Sequence, residues 1–260
     1  MNEAGGYGIL NLEHVRRSFG GLQAVDDVSF HVKKGEFFSL IGPNGAGKTT
    51  LLNCINGFIP ADSGKISFNN EEITSLKPAE NMKRGIGRTF QHAELFRSMS
   101  VIDNIKVGLH QHIRGNLLGQ LIYFGFARRV EEKFRADIEE RIIDLLCLEP
   151  YRKAPVGALP WGIQKRVDLA RALASNPKLL LVDEPTEGMT LQEREDIMRY
   201  ILIVREFRDV TVLMIEHDIK AVVDVSDRVG VMNFGKLIAV GEPQAVLDDP
   251  EVQRTYFGKG

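Results

Sequence analysis

The sequence predicts an α/β fold: a parallel-sheet core, antiparallel strands in its opening third, and a helical lobe set into its middle. Three observations predict it. Two continuous apolar runs, Phe37–Ile41 and residues 179 to 182, have the length and composition of buried central strands. The opening third adds short alternating stretches, which a plain doubly wound sheet would replace by strand-helix alternation. Residues 98 to 160 read as mostly helical and separate two α/β parts.

Residues 9 to 19 read as a strand and turn. Residues 24 to 32 alternate, with Val25, Val28, Phe30 and Val32 on one face of a half-buried strand. Lys33-Lys34-Gly35-Glu36 turns the chain into Phe37–Ile41. Gly42-Pro43-Asn44-Gly45-Ala46-Gly47-Lys48-Thr49-Thr50 comes next, and Leu51, Leu52 and Ile55 then fall at helical spacing, until Gly57 and Pro60 break the chain. Residues 64 to 68 form a short strand closed by an Asn69-Asn70 turn, and residues 87 to 91 form another that ends at a polar residue.

In the middle lobe, residues 101 to 110 and 128 to 148 are predicted helices. The second carries Val130, Phe134, Ile138, Ile142 and Leu145 at spacings of three and four, with charges between them. Residues 117 to 127 are more apolar than a surface loop. They read as a helix inside the lobe, or as a surface for a partner or a membrane. Residues 162 to 175 are a helix stopped by Asn176-Pro177. The buried strand 179 to 182 ends in Asp183 and Glu184. Leu191–Arg208 is a helix, and residues 210 to 215 are a buried strand ending at Glu216-His217-Asp218. Residues 229 to 232 and 237 to 240 make a hairpin, and two short helices close the chain.

Composition bounds the function. The chain has 260 residues, 43% hydrophobic and 26% charged, enough for a sizeable core. Its formal net charge of −2 gives no basic field for nucleic acid. Residues 1 to 8 lack the order of a signal peptide, and no apolar run reaches the length of a membrane span. Cys54 and Cys147, both set among apolar residues in predicted helices, read as buried thiols of a reducing compartment. His110 and His112 read as solvent-facing, as do the charge runs at 131 to 133 and 193 to 196.

The stretch 42 to 50 carries the chemistry. It sits between a strand and a helix, the context a phosphate-binding loop requires. Gly42, Gly45 and Gly47 admit backbone angles closed to other residues and bring amide groups close to an anion. Asn44, Ala46 and Thr50 complete the wrap, and the helix N-terminus adds its dipole. Lys48 is placed to reach the β- and γ-phosphates, and the Thr49 hydroxyl to ligate Mg²⁺. By chance such a pattern arises in about one chain in a hundred of this length. Asp183 stands where a strand leaves the core and can hold Mg²⁺ opposite Thr49. Glu184, turned to the other side, is placed to polarise a water. A single carboxylate there would read as a helix cap; two in tandem behind a P-loop read as functional.

With these motifs in place, the chain resembles the nucleotide-binding subunits of ATP-binding cassette (ABC) transporters over nearly its whole length. The resemblance implies a RecA-like P-loop core at 1 to 97 and 161 to 260, including the antiparallel β subdomain, and a helical subdomain at 98 to 160. It implies that Phe19 stacks on adenine with Val25 beside it. It makes Gln91, within Arg88-Thr89-Phe90-Gln91, a ligand to Mg²⁺ and the attacking water, and His217 a contact to the γ-phosphate. Singly, Phe19 would be a packing aromatic, Gln91 a surface amide and His217 a strand-end cap.

The family's signature Leu-Ser-Gly-Gly-Gln matches Leu159-Pro160-Trp161-Gly162-Ile163-Gln164. By resemblance Leu159, Gly162 and Gln164 close over ATP held by the opposite subunit. Pro160 supplies neither the family's hydroxyl nor an N–H, and Trp161 replaces a glycine. A hydrogen bond to a charged group is worth about 1.5–3 kcal/mol, so the composite site is expected to be weakened. Trp161, the single tryptophan, falls at the expected dimer seam. The turn Pro185-Thr186-Glu187-Gly188-Met189-Thr190, where Thr190 stands near the family's aspartate, resembles the branched-chain amino acid importer ATPases. So do the loose signature, Phe19-Gly20-Gly21, and the tail from Glu216 to Gly258. That subfamily implies ATP and Mg²⁺ as cofactors. Its partners are a second cassette, paralogous or identical, and separate membrane permease subunits. Its place is peripheral, on the cytoplasmic face of the cell membrane. Another cargo such as urea, an amide or a lipid, or a soluble non-transport role, are the alternative readings.

Overall fold

A computed structural model describes residues 8–91, 94–108 and 142–257 of the chain. Its elements run β1 (Leu10–Phe19), β2 (Leu22–Val32), β3 (Phe37–Ile41), α1 (Lys48–Asn56), β4 (Ser63–Phe68), β5 (Glu71–Glu72), α2 (Pro78–Arg84), β6 (Ile86–Arg88), α3 (Val101–Val107), α4 (Trp161–Ala174), β7 (Leu179–Asp183), α5 (Leu191–Arg208), β8 (Thr211–Ile215), α6 (Ile219–Val225), β9 (Arg228–Asn233), β10 (Lys236–Gly241), α7 (Pro243–Leu247) and α8 (Pro250–Phe257).

Two sheets result. One is antiparallel, in the order β2-β1-β4-β5. The other runs β10-β9-β3-β8-β7-β6 and is parallel except at β10. The P-loop strand β3 is therefore central, between β9 and β8. The predicted face of β2 holds, but Val25 and Val28 are three residues apart, so strict alternation cannot put both inside. The ladder shifts register between Val15↔Val28 and Arg17↔Val25, and Asp27 takes a φ of 60°. This bulge returns both valines to the core. Asn69 and Asn70 have φ of 50° and 64°, the left-handed pair that a tight hairpin turn needs between β4 and β5.

The central sheet is buried on both faces, so its strands read as unbroken apolar runs. Period-two alternation then divides them. Phe37, Leu180, Val182, Val212, Met214 and Val231 face a core shared with α4 and α5. Phe38, Leu40, Leu179, Leu181, Leu213 and Ile215 face one shared with α1 and the antiparallel sheet. The Phe38 ring stacks on Phe30 of β2, centroids 5.1 Å apart, tying the two sheets together.

Two expectations are corrected. Cys147 is exposed, not buried. It stands at φ 50° in a turn rather than a helix, so its side chain leaves the face of its neighbours. Of the predicted helix 128 to 148, the described end buries Ile142, Ile143 and Leu146, whereas Leu145 is only partly buried. A Leu148 N–H bond to the Ile143 carbonyl widens the turn there and rotates the face. Cys54 is buried as expected, and burial pushes its thiol up to about 11. The apolar stretch 117 to 127, His110 and His112 lie outside the described residues. Two helices went unpredicted, α2 and α6, each of seven residues and too short for a clear period.

Phe38→Ala removes the ring that joins the sheets. It is expected to cost about 3–5 kcal/mol, read as a lower urea midpoint at unchanged slope, with Phe38→Leu costing less.

Candidate functional site

The carboxyl ends of β3, β8, β7 and β6 lie in register, with Leu40 and Asp183 both opposite Ile215 and Arg88 opposite Leu181. Ligands of parallel α/β sheets bind at such an edge. The P-loop leaves β3 there and is gripped from two sides. A Cβ on Gly42 would lie 2.3 Å from the Met232 carbonyl oxygen of β9, and one on Gly47, at φ 100°, 2.0 Å from that of Ala24 in β2. Gly235 N–H donates to the Ala46 carbonyl at 3.0 Å, so the β9–β10 hairpin tip holds the loop as well. Asn44 and Gly45 are exposed, Ala46 is buried, and Thr49 and Thr50 are half-buried in the first turn of α1.

Lys48 is buried, and its Nζ donates to the Gly42 and Pro43 carbonyls at 2.7 and 3.1 Å. Burial pulls its pKa down, against the opposing pull of Glu184, Asp183 and Glu216. Phe19 ends β1, 43% exposed, with the Arg17 guanidinium 4.7 Å from its ring centroid. Val25, expected beside the nucleotide, is fully buried in the core and offers no surface.

Asp183 meets the Arg88 guanidinium through Oδ2 at 3.0 Å, both side chains almost wholly buried. Arg88 also donates to Asn53 Oδ1 of α1 at 2.7 Å. Burial raises the pKa of Asp183 and lowers that of Arg88, and each restrains the other's shift. The second carboxylate oxygen, Oδ1, is buried with no hydrogen-bond partner. An orphaned hard anionic oxygen beside a P-loop fits a divalent cation such as Mg²⁺. No group of three or more His, Cys, Asp or Glu that could hold a metal occurs among the described residues.

Glu184 follows at φ 44°, a left-handed conformation that an ordinary side chain adopts only where its surroundings hold it. Its amide donates to the Ile215 carbonyl at 3.0 Å. Gln91 Nε2 donates to Glu184 Oε2 at 3.1 Å, so two of the expected residues meet directly. Burial raises the Glu184 pKa, partly offset by His217. His217 is exposed, its Nδ1 3.4 Å from Glu216 Oε2.

Sequence reasoning missed Glu216. Fully buried, its carboxylate accepts from the Thr186 amide and hydroxyl and from the amides of His217 and Asp218. It thereby joins the loop after β7 to the one after β8. Glu193 was missed too, having been read as a solvated helix face. Its carboxylate accepts from Thr190 N and Oγ1, both at 2.9 Å, as a capping box. A Cβ on Gly162 would lie 2.6 Å from Glu193 Oε1. The start of α4 thus lies against the Glu193 carboxylate of the same chain. Gln164 turns back to donate to the Leu159 carbonyl at 2.8 Å, and Trp161 Nε1 donates to the Glu187 carbonyl at 3.1 Å. The signal for Glu193 was present: Thr190-x-x-Glu193 is a capping-box pattern.

A P-loop at the carboxyl edge of a parallel sheet, with a buried carboxylate on the next strand but one, defines a nucleotide-binding ATPase class. The comparisons narrow it. The ABC transporter family model matches residues 25–187. The high-affinity branched-chain amino acid transport ATP-binding protein BraF of Pseudomonas aeruginosa is 36% identical over 251 residues, covering 96% of this chain and 98% of its own. The ADP conformation of an ATP-binding cassette of an ABC transporter superposes with a TM-score of 0.83 at 36% identity, over 96% of this chain and 99% of that one. A dimeric, post-hydrolysis ATP-binding cassette bound to ADP and Pi gives 0.74 at 26% identity, over 90% and 98%. The chain belongs to the ABC transporter family, as one of its ATP-binding subunits, which hydrolyse ATP to drive transport.

Arg88→Met would leave the Asp183 carboxylate buried without its cation. The expected loss is about 3–5 kcal/mol of folding stability, read by urea unfolding, against little change for an exposed pair such as Lys34–Asp209.

Proposed function

We propose that this chain powers an importer of branched-chain amino acids, working as one of two cassettes beneath membrane permease subunits. The observation that carries the hydrolytic part is the Gln91–Glu184 contact next to the orphaned Asp183 oxygen at the P-loop edge. The similarity to BraF supports the cargo.

In this reading the loop amides of residues 42 to 50 and the Lys48 ammonium hold the phosphates of ATP, and Phe19 covers the adenine. Asp183, Thr49 and Gln91 would hold Mg²⁺, which when bound neutralises the developing charge on the β- and γ-oxygens. Glu184 accepts the proton of the attacking water, and burial raises its pKa in the direction that makes it a stronger base. Gln91 orients Glu184 and the water. His217, its amide fixed by Glu216, contacts the γ-phosphate.

Two cassettes close head to tail, and Leu159, Gly162 and Gln164 of one meet ATP on the other; the dimeric relative bound to ADP and Pi supports a dimer. Because Pro160 has no donor and the Glu193 carboxylate lies against Gly162, the half-site completed by this chain is the weaker one. Residues 98 to 160 act as the helical subdomain. With Gln91 they pass the motion to the permease subunits, which place the chain peripherally on the cytoplasmic face of the membrane.

Glu184→Gln is expected to lower turnover about 10²–10⁴-fold with ATP affinity retained; turnover near normal would remove Glu184 from the base role. In that variant Trp161 emission is expected to change as ATP drives dimerisation, with the dimer verified by light scattering. An unchanged signal in a verified dimer would put Trp161 away from the seam. Reconstituted with its permease, the complex is expected to carry leucine in preference to urea; the reverse would change the cargo.

A further inference from the structure

One face of α4 carries three charged side chains at spacings of three, Lys165, Asp168 and Arg171. They are turned inward: Lys165 is 5% exposed and Asp168 1%. All three reach the segment that follows β6. Lys165 Nζ donates to the Gln91 carbonyl at 2.5 Å and to those of Phe90 and Glu184 at 3.4 Å. Asp168 Oδ2 accepts from the Phe90 amide at 2.9 Å, and its Oδ1 takes Arg171 Nη2 at 2.6 Å. Arg171 Nη1 then donates to the Glu94 carbonyl at 2.5 Å. A buried ammonium is tolerated where its donors are met, and here three backbone carbonyls meet them.

Two of those carbonyls belong to Gln91 and Glu184, whose side chains touch. The Glu184 peptide is also the one in the left-handed conformation that its surroundings must hold. Lys165 lies within one turn of Gly162, at the start of the same helix. Its Nζ is 5.4 Å from the Trp161 ring centroid.

We propose that Lys165 is a positioning residue that fixes the Gln91 and Glu184 backbones so that their side chains meet, and that it carries any shift of the α4 N-terminus to that pair. Resting on the function proposed above, nucleotide of the partner subunit docking at Gly162 is therefore felt at this subunit's own hydrolytic residues. Coupling between two sites is reciprocal. Nucleotide in this chain's own P-loop must then disturb the start of α4, and Trp161 reports it.

The test uses the full chain as wild type, Lys165→Met, Lys165→Arg and Lys165→Gln. Affinity for ATP with Mg²⁺, the nucleotide-induced change in Trp161 emission, and kcat and KM in the reconstituted complex are measured for each. Lys165→Met, or Lys165→Gln should the first fail to fold, is expected to bind ATP within about threefold of wild type. It is expected to lose the Trp161 response and about 10²-fold in kcat, the scale of a small misplacement of catalytic groups. Lys165→Arg, which keeps the cation, is expected to restore both. A Lys165→Met variant with wild-type kcat or a wild-type Trp161 response would overturn the proposal, as would a kcat loss matched by an equal loss of ATP affinity. A wild-type chain that binds no ATP would overturn the nucleotide reading itself, a result distinct from either.

Discussion

The P-loop depends on a steric constraint imposed from two directions. Carbonyl oxygens of two different sheets press against it where Cβ atoms would stand, Met232 from the parallel sheet and Ala24 from the antiparallel one. Glycine at 42 and 47 is therefore set by crowding as much as by backbone angle. The antiparallel sheet is one wall of the loop, and the Phe30–Phe38 stack and the β9–β10 hairpin keep that wall in place. Packing of the two sheets and shaping of a phosphate cradle are the same event.

Around this cradle the strand ends gather buried charge. Asp183 and Arg88, Glu216, Lys165 and Asp168 all lie below surface level. In a low dielectric, each must be met by a partner or by backbone groups. The partners come from neighbouring elements. Arg88 links β6 to β7 and α1, Glu216 links the β7 and β8 loops, and Lys165 links α4 to the segment after β6. These links make the edge a connected polar network in which moving one element strains the next. One carboxylate oxygen of Asp183, buried, takes no hydrogen bond within that network.

Most of the fold and half of the site were legible in the residues. Continuous apolar runs identified β3, β7 and β8, because a strand buried on both faces has no polar side. The glycine-rich stretch and the two carboxylates were legible because their chemistry is local. Glu216, Lys165 and Asp168 were not, since their partners Thr186, Gln91 and Phe90 are 30, 74 and 78 residues away, and periodicity does not see them. The bulge at Asp27 and the left-handed peptides at Glu184 and Cys147 were equally hidden, being imposed by tertiary packing.

The most direct measurement is calorimetric titration of ATP, with Mg²⁺ present, into the wild-type chain and into Gly47→Ala of verified fold. Crowding by Ala24 predicts binding to the first and a loss of more than tenfold, about 1.4 kcal/mol or more, in the second. Equal affinities, or none in the wild type, would contradict the account.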